Sequence, residues 1–413
     1  MARFRFLHAA DLHIDSPLVG LARKSQDFAS RVDDASRLAF DNLISLAIDE
    51  ECAFIVIAGD LFDGQWRDYR TGLYFLDRMR RLQDAGIKVY LILGNHDAEN
   101  RFASRLEYAE NVHLFSQRKP EAVPVKGLDV RIHGRSFPQR DVSENIALDY
   151  LAPVAGCFNI GLLHTSCTGR EGHAPYAPCT IEQLVNHGYD YWALGHVHAR
   201  EVVQERPYII YSGNLQGRSP RETGPKGATL VTVDDGRVVG VEERELDVIR
   251  WFVESVDVGS CTDMPSVHAV VRDRIEQSKD AAAGRSVALR LRLMGRTPIH
   301  NELIRSGDRL REEIETMAAM ISDEIWIEKI EFKTSPLLSR EATDPTVAGR
   351  LRLIVEQFSS DPAFMGLLEK RLAEISAKVP DAAHADELFS TIRAEGPARA
   401  VTLALSLIES GQE

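Results

Sequence analysis

Eight side chains suited to metal binding or acid–base chemistry follow five short apolar runs of this sequence. Each run has the length and apolar character of a buried β-strand, and each ends just before one or two of these side chains. In chain order they are Asp11, His13, Asp60, Asn95, His96, His164, His196 and His198. Because ligands gather at the carboxyl ends of the strands in an open α/β sheet, we expect all eight to share one crevice.

The chemistry of the set is that of a divalent metal site. Carboxylates, an amide oxygen and imidazoles suit Mn²⁺, Fe²⁺ or Zn²⁺, and the set has no thiolate to hold a softer metal. It offers too many ligands for one ion with an open position, but it suits two ions that share a carboxylate. Two ions about 3.5–4 Å apart can activate a water molecule and stabilise an in-line displacement at a phosphodiester. Glycine precedes Asp60, Asn95 and His196, which allows tight turns and close backbone approach at the metal.

Each of these short motifs alone is weak evidence. Asp often serves as a turn or helix-cap residue, and His often packs at a strand end, so a single match is usually structural. Five matches in order, each at the boundary between a strand and a loop, rarely arise by chance. The sequence therefore predicts a two-metal hydrolytic site.

The elements that must position these residues belong to an α/β domain. From residue 1 to about 245, apolar runs alternate with amphipathic segments. From 246 to 335, further strands and helices, one of them predicted over 298–321, indicate a smaller α/β module. From 336 to 413 the pattern is wholly helical. These changes predict three domains with those boundaries.

Composition and charge limit the remaining possibilities. The 413 residues are 44% hydrophobic and 27% charged, an ordinary globular composition that excludes a disordered, collagenous or low-complexity chain. Five cysteines without a CxxC pair argue against a disulfide framework or a zinc knuckle. We find neither an apolar stretch of about 20 residues nor a signal peptide, so we expect a cytoplasmic protein without membrane contact. A net charge of −13 means that any nucleic-acid substrate needs a local basic patch, metal ions or a partner.

The ordered motifs DLH, GDLFD, GNHD, LLH and GHVH resemble those of the calcineurin-like metallophosphoesterases. Within that family they are similar to double-strand-break repair nucleases of the SbcD type and their bacterial YhaO-like relatives, a match that 11–18 and 212–227 support. The motifs that carry the resemblance span 11–227. Beyond residue 227, only the layout of the domains is similar. The resemblance implies a two-sheet α/β sandwich flanked by helices, a small α/β capping domain, and a helical region that docks an SMC-like coiled-coil ATPase of the SbcC/YhaN type.

The resemblance also implies a role for each residue. One ion would be held by Asp11, His13, Asp60 and His198, and the other by Asp60, Asn95, His164 and His196. His96 would stabilise the phosphate or protonate the leaving oxygen as a catalytic residue. Asp97, also taken as catalytic, would orient His96 or its loop. Asp63 stands where some family members carry His, so it is a candidate substrate contact whose role stays open.

Three basic residues, Arg218, Arg221 and Lys226, lie in the loop over 216–227. A basic, semi-rigid loop after the last ligand is a candidate for contacts with a phosphate backbone. The alternative, an ordinary solvated loop, is equally compatible with the residues alone.

Together these features predict a two-metal phosphodiesterase that hydrolyses DNA, expected to be a Mn²⁺-dependent exonuclease subunit of a DNA repair complex. One alternative is a small-molecule phosphodiesterase or phosphatase, which would not need the long chain after residue 245. Another is a non-catalytic metal-binding scaffold subunit of the ATPase, which the complete ligand set and His96 disfavour. A protein Ser/Thr phosphatase is disfavoured because GDLFDG and GNHD replace GDxVDRG and GNHE. Dimerisation is implied only at the level of the family.

Overall fold

The computed structural model describes residues 2–16, 18, 26–63, 69–99, 106–167, 176–336 and 362–376. By compactness the chain divides into two units. The first comprises Met1–Phe252 with Lys279–Leu289, and the second comprises Val253–Ser278 with Arg290–Glu413.

Strands and helices alternate along most of the described chain. The described strands are β1 (Phe4–Ala9), β2 (Phe54–Ala58), β3 (Lys88–Ile92), β4 (Val112–Leu114), β5 (Glu121–Pro124), β6 (Val130–Gly134), β7 (Phe158–His164), β8 (Tyr191–Gly195), β9 (Glu201–Glu205), β10 (Tyr208–Tyr211), β11 (Gly227–Asp234), β12 (Arg237–Glu245), β13 (Ile249–Asp257), β14 (Ser286–Thr297) and β15 (Ile325–Pro336). The described helices are α1 (Gln26–Asp49), α2 (Arg70–Asp84), α3 (Asn95–Glu99), α4 (Ile181–His187), α5 (Met264–Ala281), α6 (His300–Arg305), α7 (Gly307–Ile321) and α8 (Pro362–Ser376).

Two mixed sheets of six strands form the framework of the first unit. The first has the order β12-β11-β1-β2-β3-β4, in which β1 to β4 run parallel and β11 is antiparallel to both of its neighbours. The second has the order β5-β6-β7-β8-β10-β9, with parallel central strands and antiparallel edges. Parallel neighbours end at one edge of a sheet, so the loops after β1, β2 and β3 meet, as do those after β7 and β8. The predicted α/β fold with two sheets and flanking helices is confirmed.

Alternate residues along the strands build two separate apolar layers. Between the sheets, the ring of Phe6 stacks on Phe54 at 5.1 Å and meets Tyr191 edge-on at 5.3 Å. The intervening residues, such as Leu7 and Ile55, pack on the other face with side chains of α1 and α2. A register slip of one residue would exchange these two faces, so burial on both sides fixes where each strand ends.

The three-stranded sheet β13-β14-β15 consists mainly of residues of the second unit, and α6 and α7 pack on β15. The helix predicted over 298–321 is in fact two helices, because α6 ends before Ser306 and α7 begins at Gly307. Ser and Gly both have weak helix propensity, which explains the break. The three predicted domain boundaries remain predictions, and most of 336–413 lies outside the described residues. No described helix is both long and apolar enough to cross a membrane.

His8 lies in the interior between the sheets, with no exposed surface. Its Nε2 faces the carbonyl oxygen of Leu194 at 3.2 Å and therefore donates, while Nδ1 accepts from the hydroxyl of Tyr191 at 3.0 Å. Both ring nitrogens are thus satisfied in the neutral form. Burial lowers the pKa of His8 from 6.5 to about 3.

This burial predicts a loss of stability in acid. The folded state holds His8 neutral while the unfolded state binds a proton below pH 6.5, so His8 destabilises the fold as pH falls below that value. At pH 5 the cost is about 2 kcal/mol. We expect urea unfolding in the presence of a chelator to show a larger loss between pH 7.5 and pH 5 for the wild type than for His8→Gln. Equal losses in the two proteins would contradict this account.

Candidate metal centre

The loops after β1 and β2 carry three predicted ligands and are joined to each other by their backbones. The amide of Asp11 donates to the backbone carbonyl of Gly59 at 3.0 Å, and the amide of His13 donates to the backbone carbonyl of Asp60 at 3.1 Å. Asp11, His13 and Asp60 have φ values of 51°, 43° and 52°. Residues other than glycine rarely adopt this left-handed region, and such strain persists only where the surrounding structure imposes it.

Two glycines allow the strand ends to approach closely enough. A Cβ atom on Gly94 would lie 2.3 Å from Oδ1 of Asp60, and one on Gly195 would lie 2.0 Å from the carbonyl oxygen of Ala58. Neither position can accept a larger residue without displacing the site. The predicted need for glycine before Asn95 and His196 is therefore confirmed by the close backbone contacts at both positions.

Asp11, His13 and His198 form the first group of converging ligand atoms. The Nε2 atoms of His13 and His198 are 3.3 Å apart, and Nε2 of His198 lies 3.9 Å from Oδ1 of Asp11. The Nδ1 atom of His198 donates to Oε1 of Glu222 at 2.8 Å, so Nε2 of its neutral ring presents a lone pair. Burial lowers the pKa of His13 and raises that of Asp11. Buried acceptor atoms that face one another in this way fit a cation.

His164 organises the second group. Its Nδ1 donates to the carbonyl of Ala58 at 2.9 Å, which leaves Nε2 facing two oxygens. These are Oδ1 of Asn95 at 3.0 Å and Oδ2 of Asp60 at 3.4 Å. Three acceptors can face each other only around a positive charge, either a proton on Nε2 or a metal ion. Burial would lower the pKa of His164, but the charge of Asp60 outweighs it and raises the pKa to about 9.

Asp60 lies next to both groups, since its ligand atoms also converge with those of His13 and His96 and with those of Asp11 and His164. The same Oδ2 atom that faces His164 lies 3.9 Å from Nε2 of His13. Burial would raise the pKa of Asp60, but the neighbouring imidazoles hold it below its ordinary value. The ring of His196, another predicted ligand, lies 5.3 Å from that of His164, and its amide donates to both carboxylate oxygens of Asp11. The donor set and its geometry thus fit two divalent ions.

Asp63 holds His96 rather than standing apart as a substrate contact. Oδ1 of Asp63 lies 2.9 Å from Nδ1 of His96, and Oδ2 accepts from the hydroxyl of Ser16 at 2.7 Å. The hydrogen bond between Asp63 and His96 raises the pKa of His96 and lowers the pKa of Asp63. His96 is about one-third exposed beside the ligand groups, which leaves its ring accessible to a phosphoester.

Asp97 joins two loops instead of touching His96. Its carboxylate accepts the amides of Leu61, Phe62 and Gly94, each at 3.0 Å. Within the described residues its hydrogen bonds all go to backbone groups, one of them in the loop that carries His96, so the geometry fits the expectation that Asp97 orients this loop and not the His96 ring itself. Burial and the nearby charge of Asp60 raise the pKa of Asp97, while the three amides act in the opposite direction.

The three basic residues of the loop have different surroundings. Nη1 of Arg218 reaches Oδ2 of Asp63 at 3.5 Å, which places this guanidinium beside the ligand groups. Arg221 is exposed. Lys226 is buried, and its Nζ donates to the carbonyl of His198 at 2.9 Å. Lys226 therefore holds a candidate ligand and is not available to a phosphate, contrary to its interpretation as a substrate contact.

Glu222 is the functional residue that the sequence analysis missed. Its carboxylate accepts from the ring of His198, from Nδ2 of Asn214 and from the amide of Arg218. Burial would raise the pKa of Glu222, but the hydrogen bond from His198 outweighs it and lowers the pKa. In the sequence, the feature that indicates this residue is its acidic side chain within a loop over 216–227 that is otherwise basic.

Comparison with known proteins places these features in a family. Residues 4–200 match the model for calcineurin-like phosphoesterases, and residues 251–335 match the middle domain of the metallophosphoesterase YhaO. The chain is 39% identical over 297 residues to an uncharacterized metallophosphoesterase YhaO of Bacillus subtilis, covering 71% of this chain and 72% of that one. The chain belongs to the YhaO family of calcineurin-like metallophosphoesterases.

More distant similarities are also present. The chain is 26% identical over 279 residues to the DNA double-strand break repair protein Mre11 of Sulfurisphaera tokodaii, covering 63% of this chain and 67% of that one. A dimetal phosphatase from Danio rerio superposes with a TM-score of 0.35 at 13% identity, covering 59% of this chain and 97% of that one.

The shared oxygen of Asp60 predicts unequal effects on metal content. At saturating Mn²⁺ we expect about two ions per chain in the wild type. Asp60→Asn should weaken both positions, whereas His198→Gln should weaken only one. Equilibrium dialysis followed by elemental analysis measures this, with Asp77→Asn, an exposed carboxylate on α2, as the matched control. Loss of a single ion in Asp60→Asn would contradict the shared role.

Proposed function

We propose that this chain is a two-metal phosphodiesterase that hydrolyses DNA, as a Mn²⁺-dependent exonuclease subunit of a DNA repair complex. The observation that carries the proposal is the His96 imidazole, held by Asp63 at 2.9 Å beside the two ligand groups. A purely metal-binding scaffold has no need of an accessible, oriented acid at this position.

The proposed ligands are Asp11, His13, Asp60 and His198 for one ion, and Asp60, Asn95, His164 and His196 for the other. When bound, the ions would supply Lewis-acid chemistry and activate water for attack on phosphorus. The chain's own residues do the remaining work. His96, whose pKa is raised by its hydrogen bond to Asp63, donates a proton to the leaving oxygen. Arg218 contacts the phosphate, since its guanidinium lies beside the ligand groups with Nη1 3.5 Å from Oδ2 of Asp63.

Similarity to relatives named for DNA double-strand break repair supports DNA as the substrate. The net charge of −13 supports a partner that contributes the nucleic-acid surface, which we propose to be an SMC-like coiled-coil ATPase of the SbcC/YhaN type. That partner would dock on the helical region over 336–413, which in the sequence follows a nuclease domain over 1–245 and a capping domain over 246–335. A cytoplasmic location and a homodimer complete the proposal.

Hydrolysis of end-labelled linear DNA tests the activity. With Mn²⁺ we expect the wild type to degrade duplex or single-stranded DNA, and His96→Ala to lose activity by roughly 10²–10⁴-fold because general acid catalysis is lost. The ladder of products separates exonuclease from endonuclease cleavage and gives the polarity.

His113→Ala is the matched control, since His113 also faces a carboxylate, Glu121 at 3.4 Å, but on the edge strand β4. Two bound ions without DNA cleavage, alone or with the ATPase, would contradict the nuclease. Turnover of small phosphoesters would then favour the small-molecule enzyme, and no turnover would favour the scaffold.

Leaving-group dependence tests the pairing of Asp63 with His96. Asp63→Asn removes the charge that favours the protonated ring, so steps that need a proton on the leaving oxygen should slow most. We expect a loss of about tenfold or more on dithymidylate, whose leaving group is an alkoxide, and a much smaller loss on bis-p-nitrophenyl phosphate. Equal losses on the two substrates would show that Asp63 acts in some other way.

A further inference from the structure

Glu222 fixes one imidazole ligand from outside the ligand set. Oε1 of Glu222 lies 2.8 Å from Nδ1 of His198. A carboxylate at this distance only accepts, so the proton of the neutral ring stays on Nδ1 and Nε2 is left to bind a metal. Carboxylates that hold a histidine in this way also increase the basicity of its other nitrogen.

Glu222 is itself held in place by the rest of its loop. Its Oε2 accepts from the amide of Arg218 at 2.7 Å and from Nδ2 of Asn214 at 2.9 Å. Its side chain is 15% exposed. The carbonyl of His198 accepts a hydrogen bond from Nζ of Lys226 at 2.9 Å. The loop therefore holds His198 by hydrogen bonds to both its ring and its backbone carbonyl.

In the other ligand group, the partner of His164 is neutral. Nδ1 of His164 donates to the carbonyl of Ala58, a neutral acceptor, at 2.9 Å. Glu222 thus adds a negative charge behind His198, whereas among the described residues a neutral carbonyl takes the corresponding place behind His164. The two metal positions should differ in affinity for this reason.

We infer that Glu222 is a positioning residue that selectively strengthens metal binding at the position formed by Asp11, His13 and His198. This inference rests on the proposed two-metal function, and nothing in the family comparison assigns a role to Glu222. Without its charge, Arg218 would remain 3.4 Å from Nδ1 of His198, and its positive charge would no longer be offset by Glu222.

Equilibrium dialysis across a range of Mn²⁺ concentrations tests the inference without measuring turnover. The isosteric Glu222→Gln should bind one ion as tightly as the wild type and the other roughly 10–100-fold more weakly. Glu242→Gln, an exposed glutamate paired with Arg244 on β12, is the matched control and should bind both ions normally. Circular dichroism establishes that each variant is folded.

A double-mutant cycle assigns the effect to His198. In a His198→Gln background, Glu222→Gln should cause no further loss of metal, because the ring that it orients is gone. Nitrogen NMR of the metal-free wild type should find the proton of His198 on Nδ1. Unchanged affinities in Glu222→Gln, equal loss of both ions, or an additive loss in the double variant would each overturn the inference. A wild type that binds fewer than two ions would instead overturn the two-metal proposal, and this inference with it.

Discussion

Oδ2 of Asp60 faces Nε2 of His13 at 3.9 Å and Nε2 of His164 at 3.4 Å, and this crowding of buried acceptor atoms is the constraint on which the site depends. Acceptors withdrawn from water without a donor between them are costly, and a buried carboxylate is the most costly of all. Such an arrangement persists only where a positive charge completes it. The chain therefore encodes a place for cations by bringing together groups that would otherwise repel one another.

The scaffold must oppose this repulsion, and its rigidity explains how it does so. The ligands follow strands that are buried on both faces, such as β2, so the packing of two apolar layers fixes the strand ends. Asp11, His13, Asp60 and His196 all have positive φ, a strain of about 1–3 kcal/mol for each residue. Backbone hydrogen bonds between the loops, and the three amides bound by Asp97, hold these conformations in place. Four of the proposed ligands therefore carry backbone strain that the surrounding contacts must maintain.

How much the sequence reveals depends on whether the information is local. The fold class and the positions of Asp60 and His164 could be predicted, because apolar runs with a polar residue at the end are local patterns. The pairing of Glu222 with His198 and the inward turn of Lys226 could not, since both depend on how a loop folds back on residues more than twenty positions away. Asp97 was expected to orient His96 or its loop, and its bond to Gly94 fits the loop, but its two bonds to the loop after β2 could not be predicted from local sequence.

Two carboxylates flank the guanidinium of Arg218, and both already accept hydrogen bonds from other groups. Arg218 lies between Asp63 and Glu222, yet its contacts with both are long, at 3.5 Å. Asp63 already accepts from His96 and from Ser16, and Glu222 accepts from the ring of His198 at 2.8 Å. Neither carboxylate needs the guanidinium to satisfy its oxygens, so Arg218 keeps donors to spare while the two negative charges offset the cost of placing a cation near the metal positions. Because its own amide donates to Glu222, a movement of the loop that disturbs His198 also moves Arg218. Under the proposed function, metal binding and phosphate contact would therefore be coupled through one short segment of the chain.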